Sequence, residues 1–159
     1  MDYTTGYFRE TFTPCSEQRL TEIEESLGLQ LPEGYRELLR QTGGGDFDYS
    51  LNLWAPLESY KKGYWVAIDK ILGNHEVWSI EKSPEDMGID GWGAPGELLI
   101  FGFSTSGPNE SFGINYGLQE FPLMSIVYVF LDSDNEIVKV ADSFEEFMGM
   151  LTTDDEVES

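Results

Sequence analysis

At 159 residues and 18.0 kDa, with 40% hydrophobic and 25% charged residues, the chain is sized for one globular domain. A single cysteine, Cys15, and a single histidine, His75, exclude an intramolecular disulfide and zinc sites of four cysteines, of paired cysteines and histidines, or of three histidines. Nine basic residues against thirty acidic ones give a net charge of −21, a field that repels nucleic-acid phosphate and anionic lipid and attracts basic partners.

The acid is unevenly spread. Residues 1–82 carry 14 acids and 8 bases, whereas residues 83–159 carry 16 acids and only Lys139. Met1–Gly6 has neither the basic nor the apolar region of a signal peptide. No apolar run approaches the ~18 residues needed to span a bilayer, so a cytoplasmic location is expected.

Residues 1–13 are mixed, with Tyr3, Tyr7, Phe8 and Phe12 among polar neighbours, and imply no definite element. Thr13-Pro14 predicts a helix start, with Thr13 as cap and Pro14 in the first turn. Leu20, Ile23 and Leu27 then recur at helical spacing while Glu22, Glu24 and Glu25 point away. Gly28 suits the left-handed stop of that helix. Pro32 holds Leu31 extended and starts a second helix, with Tyr35, Leu38, Leu39 and Thr42 inward and Gly43-Gly44-Gly45 as its stop.

Beyond the glycines the period changes to two over Tyr49–Trp54 and, less cleanly, over Trp65–Ile68. Ile71–Lys82 is consistent with a helix weakened by Gly73 and Asn74, and residues 83–96 with a glycine- and proline-rich loop. Strands are predicted over Glu97–Phe103, Ser111–Tyr116 and Ser125–Leu131. A hairpin turn at Asp132–Asn135 leads to a strand over Glu136–Ala141. Asp142 or Ser143 caps a last helix with Phe144, Phe147, Met148 and Leu151 inward. Thr152–Ser159 carries four acids and one apolar residue and is expected to be a disordered acidic tail, leaving residues 1–151 as the domain.

Two helices, a run of strands joined by turns, and a closing helix predict an α+β fold. Its sheet is mostly antiparallel, with the C-terminal helix packed on one face.

The segment Ile23–Leu39, with its Leu27-Gly28 and Leu31-Pro32-Glu33-Gly34-Tyr35 steps, followed by Thr42-Gly43-Gly44, resembles the opening signature of the SUKH superfamily (Smi/Knr family). The closing Val140–Phe147, with Ser143-Phe144 and Phe147, resembles that family's final strand and helix, and the resemblance spans residues 16–151. It implies a non-catalytic protein-binding module, many bacterial members being immunity proteins that neutralise a toxin domain, often a nuclease. The alternative it implies is a regulatory scaffold that recruits cellular proteins. The acidic balance fits the first reading, because a nuclease presents a basic groove that an acidic protein can occupy.

The residues suggest little chemistry of their own. Asp132, Asp134 and Glu136 begin like a calcium loop, but Ile137 stands where glycine is needed and Ser143 where a bidentate glutamate belongs. Gly43-Gly44-Gly45-Asp46 lacks the Lys-Ser/Thr of a phosphate loop. His75 beside Glu76 has the setting of a surface residue, and Cys15 that of an inert side chain. No metal, cofactor or catalytic residue is expected. Trp54, Trp65, Trp78 and Trp92 supply large contact areas. The candidate partner-binding residues are Asp46, Asp48 and Tyr49, which combine acid with an aromatic. Trp92 in its glycine-flanked loop, and Asn109 and Glu110 in the Gly107–Gly113 loop, complete the set. The expected partner is a basic protein, with no nucleic acid and no membrane; oligomeric state is left open.

Overall fold

In the computed structural model, which describes residues 2–56, 64–82, 95–130 and 136–153, three helices pack on a nine-stranded sheet. The order is β1 (Phe8–Thr11), α1 (Glu17–Leu27), α2 (Glu33–Gln41), β2 (Gly45–Phe47), β3 (Leu51–Ala55), β4 (Tyr64–Ile71) and β5 (Leu98–Ser104). There follow β6 (Gly107–Asn115), β7 (Ile126–Phe130), β8 (Glu136–Ala141), α3 (Phe144–Gly149) and β9 (Thr152–Thr153). The strands run β1-β2-β4-β5-β6-β7-β8, with β3 also on β4 and β9 on β3, and every pair is antiparallel. The expected α+β class is what forms.

Local chemistry explains the helix ends. The Ser16 hydroxyl accepts from the Arg19 N–H at 3.1 Å, so α1 starts at Glu17 rather than at the expected Thr13-Pro14 step. Gly28 closes α1 at φ 70°, in the left-handed region. Gly43 and Gly44, at φ 77° and 92°, end α2. A side chain on Gly43 would strike the Thr13 carbonyl oxygen, so the close approach of two backbones also demands glycine there.

The core lies between the helices and the middle of the sheet. Tyr35 of α2 stacks on Phe144 of α3 with ring centroids 5.2 Å apart. Phe101 of β5 and Phe112 of β6 meet Phe147 at 5.4 and 5.5 Å. Rings at these spacings add about 0.5–1.5 kcal/mol per pair beyond their burial. All five residues of β7, Ile126–Phe130, are buried, so both faces of the central sheet are covered.

Several expectations change. Residues Ile71–Lys82 form no helix: β4 runs to Ile71, and Gly73 then bridges to Ser79. The Asn74 N–H donates to the Gly43 carbonyl at 2.8 Å, so this backbone is spent on tertiary bonds rather than on helical ones. The N-terminal stretch supplies β1. Thr152 and Thr153 pair with Asn52 and Leu51, so the ordered chain runs past the expected boundary at 151; residues 154–159 lie outside the described residues. The Gly107–Gly113 segment is strand, not loop. The 83–94 stretch and the Asp132–Asn135 turn lie outside the described residues, although β7 and β8 on either side of that turn pair antiparallel.

Candidate functional site

Asp46, Asp48 and Tyr49 are brought together by β2 and the turn after it. Phe47, between the acids, points inward and stacks on Phe8 at 5.0 Å, which sends Asp46 and Asp48 the other way. Asp46 lies between two cations, 3.8 Å from Arg9 of β1 and 3.5 Å from Lys70 of β4. Its Oδ1 is buried, so this carboxylate is a link between strands and not a free acid. Lys70 also sits over the Trp78 ring, 3.7 Å from its centroid. Asp48 folds back on Ser50, accepting from its N–H at 3.0 Å and its hydroxyl at 2.7 Å. The Ser50 hydroxyl and N–H hold its carboxyl below the usual range. Tyr49 is 77% exposed, with the Arg9 guanidinium 4.4 Å from its ring centroid.

The other candidates do not join this group. Glu110 is 4% exposed, and its Oε1 accepts from the Tyr128 hydroxyl at 2.5 Å. The reason is the pleat: Glu110, Phe112 and Ile114 share the face that meets the helices, opposite Phe130, Tyr128 and Ile126. Asn109 lies in β6 with its side chain outside the described residues, and Trp92 lies outside them altogether.

The helical layer is rich in acid. Its three helices carry eight glutamates against Arg19, Arg36 and Arg40. Arg36 reaches Glu24 at 3.4 Å and Glu17 at 3.6 Å, and Arg40 bonds Glu17 at 2.5 Å, so these bases knit α1 to α2. Glu22, Glu25, Glu145 and Glu146 are exposed and take part in no ion pair among the described residues.

An open groove of about 690 Å³ lies beside α1 and the turn after β4. Arg19 crosses it, donating from Nε to Asn74 Oδ1 at 3.1 Å and pairing with Glu81. His75 is exposed, and its Nδ1 accepts from the Val77 and Trp78 N–H groups at 3.0 Å each, so the ring caps a turn. Cys15 is buried, and burial pushes its thiol pKa up, away from thiolate chemistry. Among the described residues no group of three or more His, Cys, Asp or Glu side chains could hold a metal ion. No helix among them is long and apolar enough to cross a membrane.

One feature of this surface was not singled out from the sequence. Trp54 and Trp65 face each other directly across β3 and β4, with ring centroids 5.2 Å apart at 63°, and are 36% and 37% exposed. The alternation carried the signal, since both fall out of phase with buried Leu53, Ala55, Val66 and Ile68. Arg9 was also missed, because only the pairing of β1 with β2 brings it to Tyr49.

No curated protein matches the chain. The model of the SMI1 / KNR4 family (SUKH-1) matches residues 14–150, which takes in every helix and all but the two outermost short strands, and the chain belongs to that family.

Proposed function

We propose that the chain is a non-catalytic protein-binding module of the immunity type, which neutralises a basic toxin domain by binding and occluding it. The observation that supports this reading is membership of the SMI1 / KNR4 family joined to an acid-dominated surface. Four exposed glutamates on the helical layer take part in no ion pair among the described residues. Such a surface speeds the encounter with a cationic groove and fixes orientation, while shape and aromatic contacts hold the complex. A nuclease domain is the target class that fits best, because its own substrate is a polyanion.

The test is capture of the tagged protein from its native cells at low and high salt, with the bound proteins identified, followed by co-expression of the protein with each captured partner. The expected result is one basic partner in near-equal amount whose toxicity the protein relieves. Several unrelated partners, none of them toxic, would overturn the immunity reading in favour of a regulatory scaffold.

A further inference from the structure

We propose that Asp48 and Tyr49, on the turn between β2 and β3, form the docking point for an arginine side chain on the surface of a basic partner protein. The inference rests on the protein-binding reading above and gives it a place on the molecule.

Tyr49 is 77% exposed, more than any other large apolar side chain among the described residues. The Arg9 guanidinium, 4.4 Å from the ring centroid, covers one side of the ring, and solvent covers the rest. An aromatic face in water accepts a guanidinium, and tyrosine is enriched in binding hot spots. The turn that carries this ring is already tied down. The Asp48 N–H donates to the Tyr7 carbonyl at 2.8 Å, and the Leu51 N–H donates to the Asp48 carbonyl at 3.2 Å. Asp48 Oδ1 accepts both the Ser50 N–H and the Ser50 hydroxyl. A ring presented in this way loses little freedom on docking.

Charge selects the occupant. Asp48 is exposed, and its Oδ2 makes no hydrogen bond or ion pair among the described residues, so an open acceptor stands next to the ring. Glu10 and Asp46 lie directly opposite each other across β1 and β2, a placement of like charges that weakens a sheet. Arg9 and Lys70 attend to Asp46, but the exposed Glu10 takes part in no ion pair among the described residues. Across β1, β2, the turn after it and β4, the carboxylates of Glu10, Asp46, Asp48 and Asp69 outnumber the two cations, Arg9 and Lys70. Departures from sheet-pairing rules gather at functional sites, and a cation from outside makes up this deficit.

Arginine fits better than lysine. A planar guanidinium stacks on a ring and bonds a carboxylate in its own plane at the same time, whereas an ammonium is a point charge. Arg9 supplies a test of sign, because it repels a second cation at Tyr49 and attracts an anion.

The experiment titrates the isotope-labelled full chain with an acetylated hexa-arginine peptide at about 150 mM salt, where long-range attraction is screened, and follows the backbone amide shifts. Hexa-lysine and hexa-glutamate peptides are the controls. On the proposal, the largest shifts fall at Asp48, Tyr49 and Ser50, and hexa-lysine binds more weakly. Tyr49→Ala weakens binding about 2- to 5-fold, and Tyr49→Phe, which keeps the ring, does not. Asp48→Asn, which can still accept from the Ser50 N–H, weakens it by a similar factor of about 2 to 5, and Arg9→Gln strengthens it about 2-fold. Circular dichroism checks each fold.

Peptide affinity unchanged in both Tyr49→Ala and Asp48→Asn would overturn the proposal. So would capture of hexa-glutamate that is lost in Arg9→Gln, which would make this an anion site. Self-association in sedimentation that disappears in Tyr49→Ala would overturn it too, with a second copy as the occupant. If peptide binding ignores Tyr49 while protection in the co-expression test is intact, only this docking point is wrong. If binding depends on Tyr49 and no basic partner is captured, the immunity reading is wrong and the docking point stands.

Discussion

The Tyr35 hydroxyl donates to the Leu72 carbonyl at 2.5 Å, joining α2 to the residue that follows β4. Tyr35 is fully buried, and burial, with the Cys15 and Tyr116 charges behind it, drives its pKa well above the ordinary 10.0. Tyr35→Phe keeps the ring contacts with Phe101 and Phe144 and deletes only this bond, so a loss of about 1–3 kcal/mol is expected in urea unfolding. A raised phenol stabilises through its neutral form, present below pH 10 and lost as pH rises through the higher folded value. The variant therefore falls behind wild type by most below pH 10.

Gly43→Ala is expected to be among the most damaging single changes. It forces a side chain into φ 77° and against the Thr13 carbonyl, which belongs to backbone and cannot swing aside. A cost of about 3 kcal/mol or more follows from these two effects together. Gly34→Ala is the control: the atoms nearest its new methyl belong to the flexible Glu145 side chain, inside a helix that favours alanine. Thermal unfolding of the two variants should differ by about 6–12 °C; equal melting would mean that the α2–β2 junction relaxes freely.

The glycines that end helices also mark what the sequence makes legible. Gly28 and the Gly43-Gly44 stop were readable because helix ends are set by local geometry, and α3 followed from Phe144 and Phe147 at helical spacing. Residues Phe8–Thr11 and Thr152–Thr153 were not readable as strands, since two- to four-residue strands exist only through partners far along the chain. The turn after β4 misled for the same reason: Val77, Trp78 and Ile80 mimic a helical stripe, but Asn74 is claimed by Gly43 and Thr13. At the candidate site, Asp46, Asp48 and Tyr49 stayed together because they are neighbours in sequence. Glu110 did not, because its face is fixed by Tyr128, 18 residues away.

Asn115 organises the connection between β6 and β7. Its Nδ2 donates to the Leu118 and Phe121 carbonyls at 2.9 Å, and its Oδ1 accepts from the Leu118 N–H at 2.8 Å and the Gly117 N–H at 3.1 Å. The same connection carries Met124, whose N–H donates to the Asn115 carbonyl at 2.6 Å, at φ 65°, a conformation that costs a non-glycine residue about 1–2 kcal/mol. Asn115→Ala removes the support, so a loss of about 2–4 kcal/mol is expected, together with faster hydrogen exchange at the Leu118 amide. Exchange unchanged at Leu118 would show that the turn holds itself.

The Arg19–Glu81 pair predicts an acid-sensitive term. Partial burial alone raises the Glu81 pKa, but hydrogen bonds from Arg19 and Ser26 and the Arg19 charge outweigh it, and the carboxyl lies below the ordinary 4.5. A depressed carboxylate stabilises above its unfolded value, and that contribution is lost as pH falls through the folded one. Glu81→Gln should therefore cost about 1 kcal/mol at pH 7, discounted for partial exposure, and the gap to wild type should close below pH 4.5. A gap that persists at pH 3 would assign the effect to packing.

Charge steering is testable on the helical layer by itself. Glu22, Glu25, Glu145 and Glu146 are exposed, whereas Glu17, Glu33 and Glu37 share Arg36 and Arg40. Exposed charges act at range on a basic partner but are screened beyond about 8 Å at physiological salt. Association with the captured partner should therefore slow as salt rises, with dissociation nearly constant. Reversing Glu22 and Glu25 to lysine should reduce the association rate at low salt by about tenfold and have little effect at 500 mM salt. These two residues take part in no ion pair among the described residues, so the reversal tests the field without dismantling the α1–α2 links. An association rate that ignores both salt and the reversal would mean that the acidic layer serves solubility, and that the complex forms through shape alone.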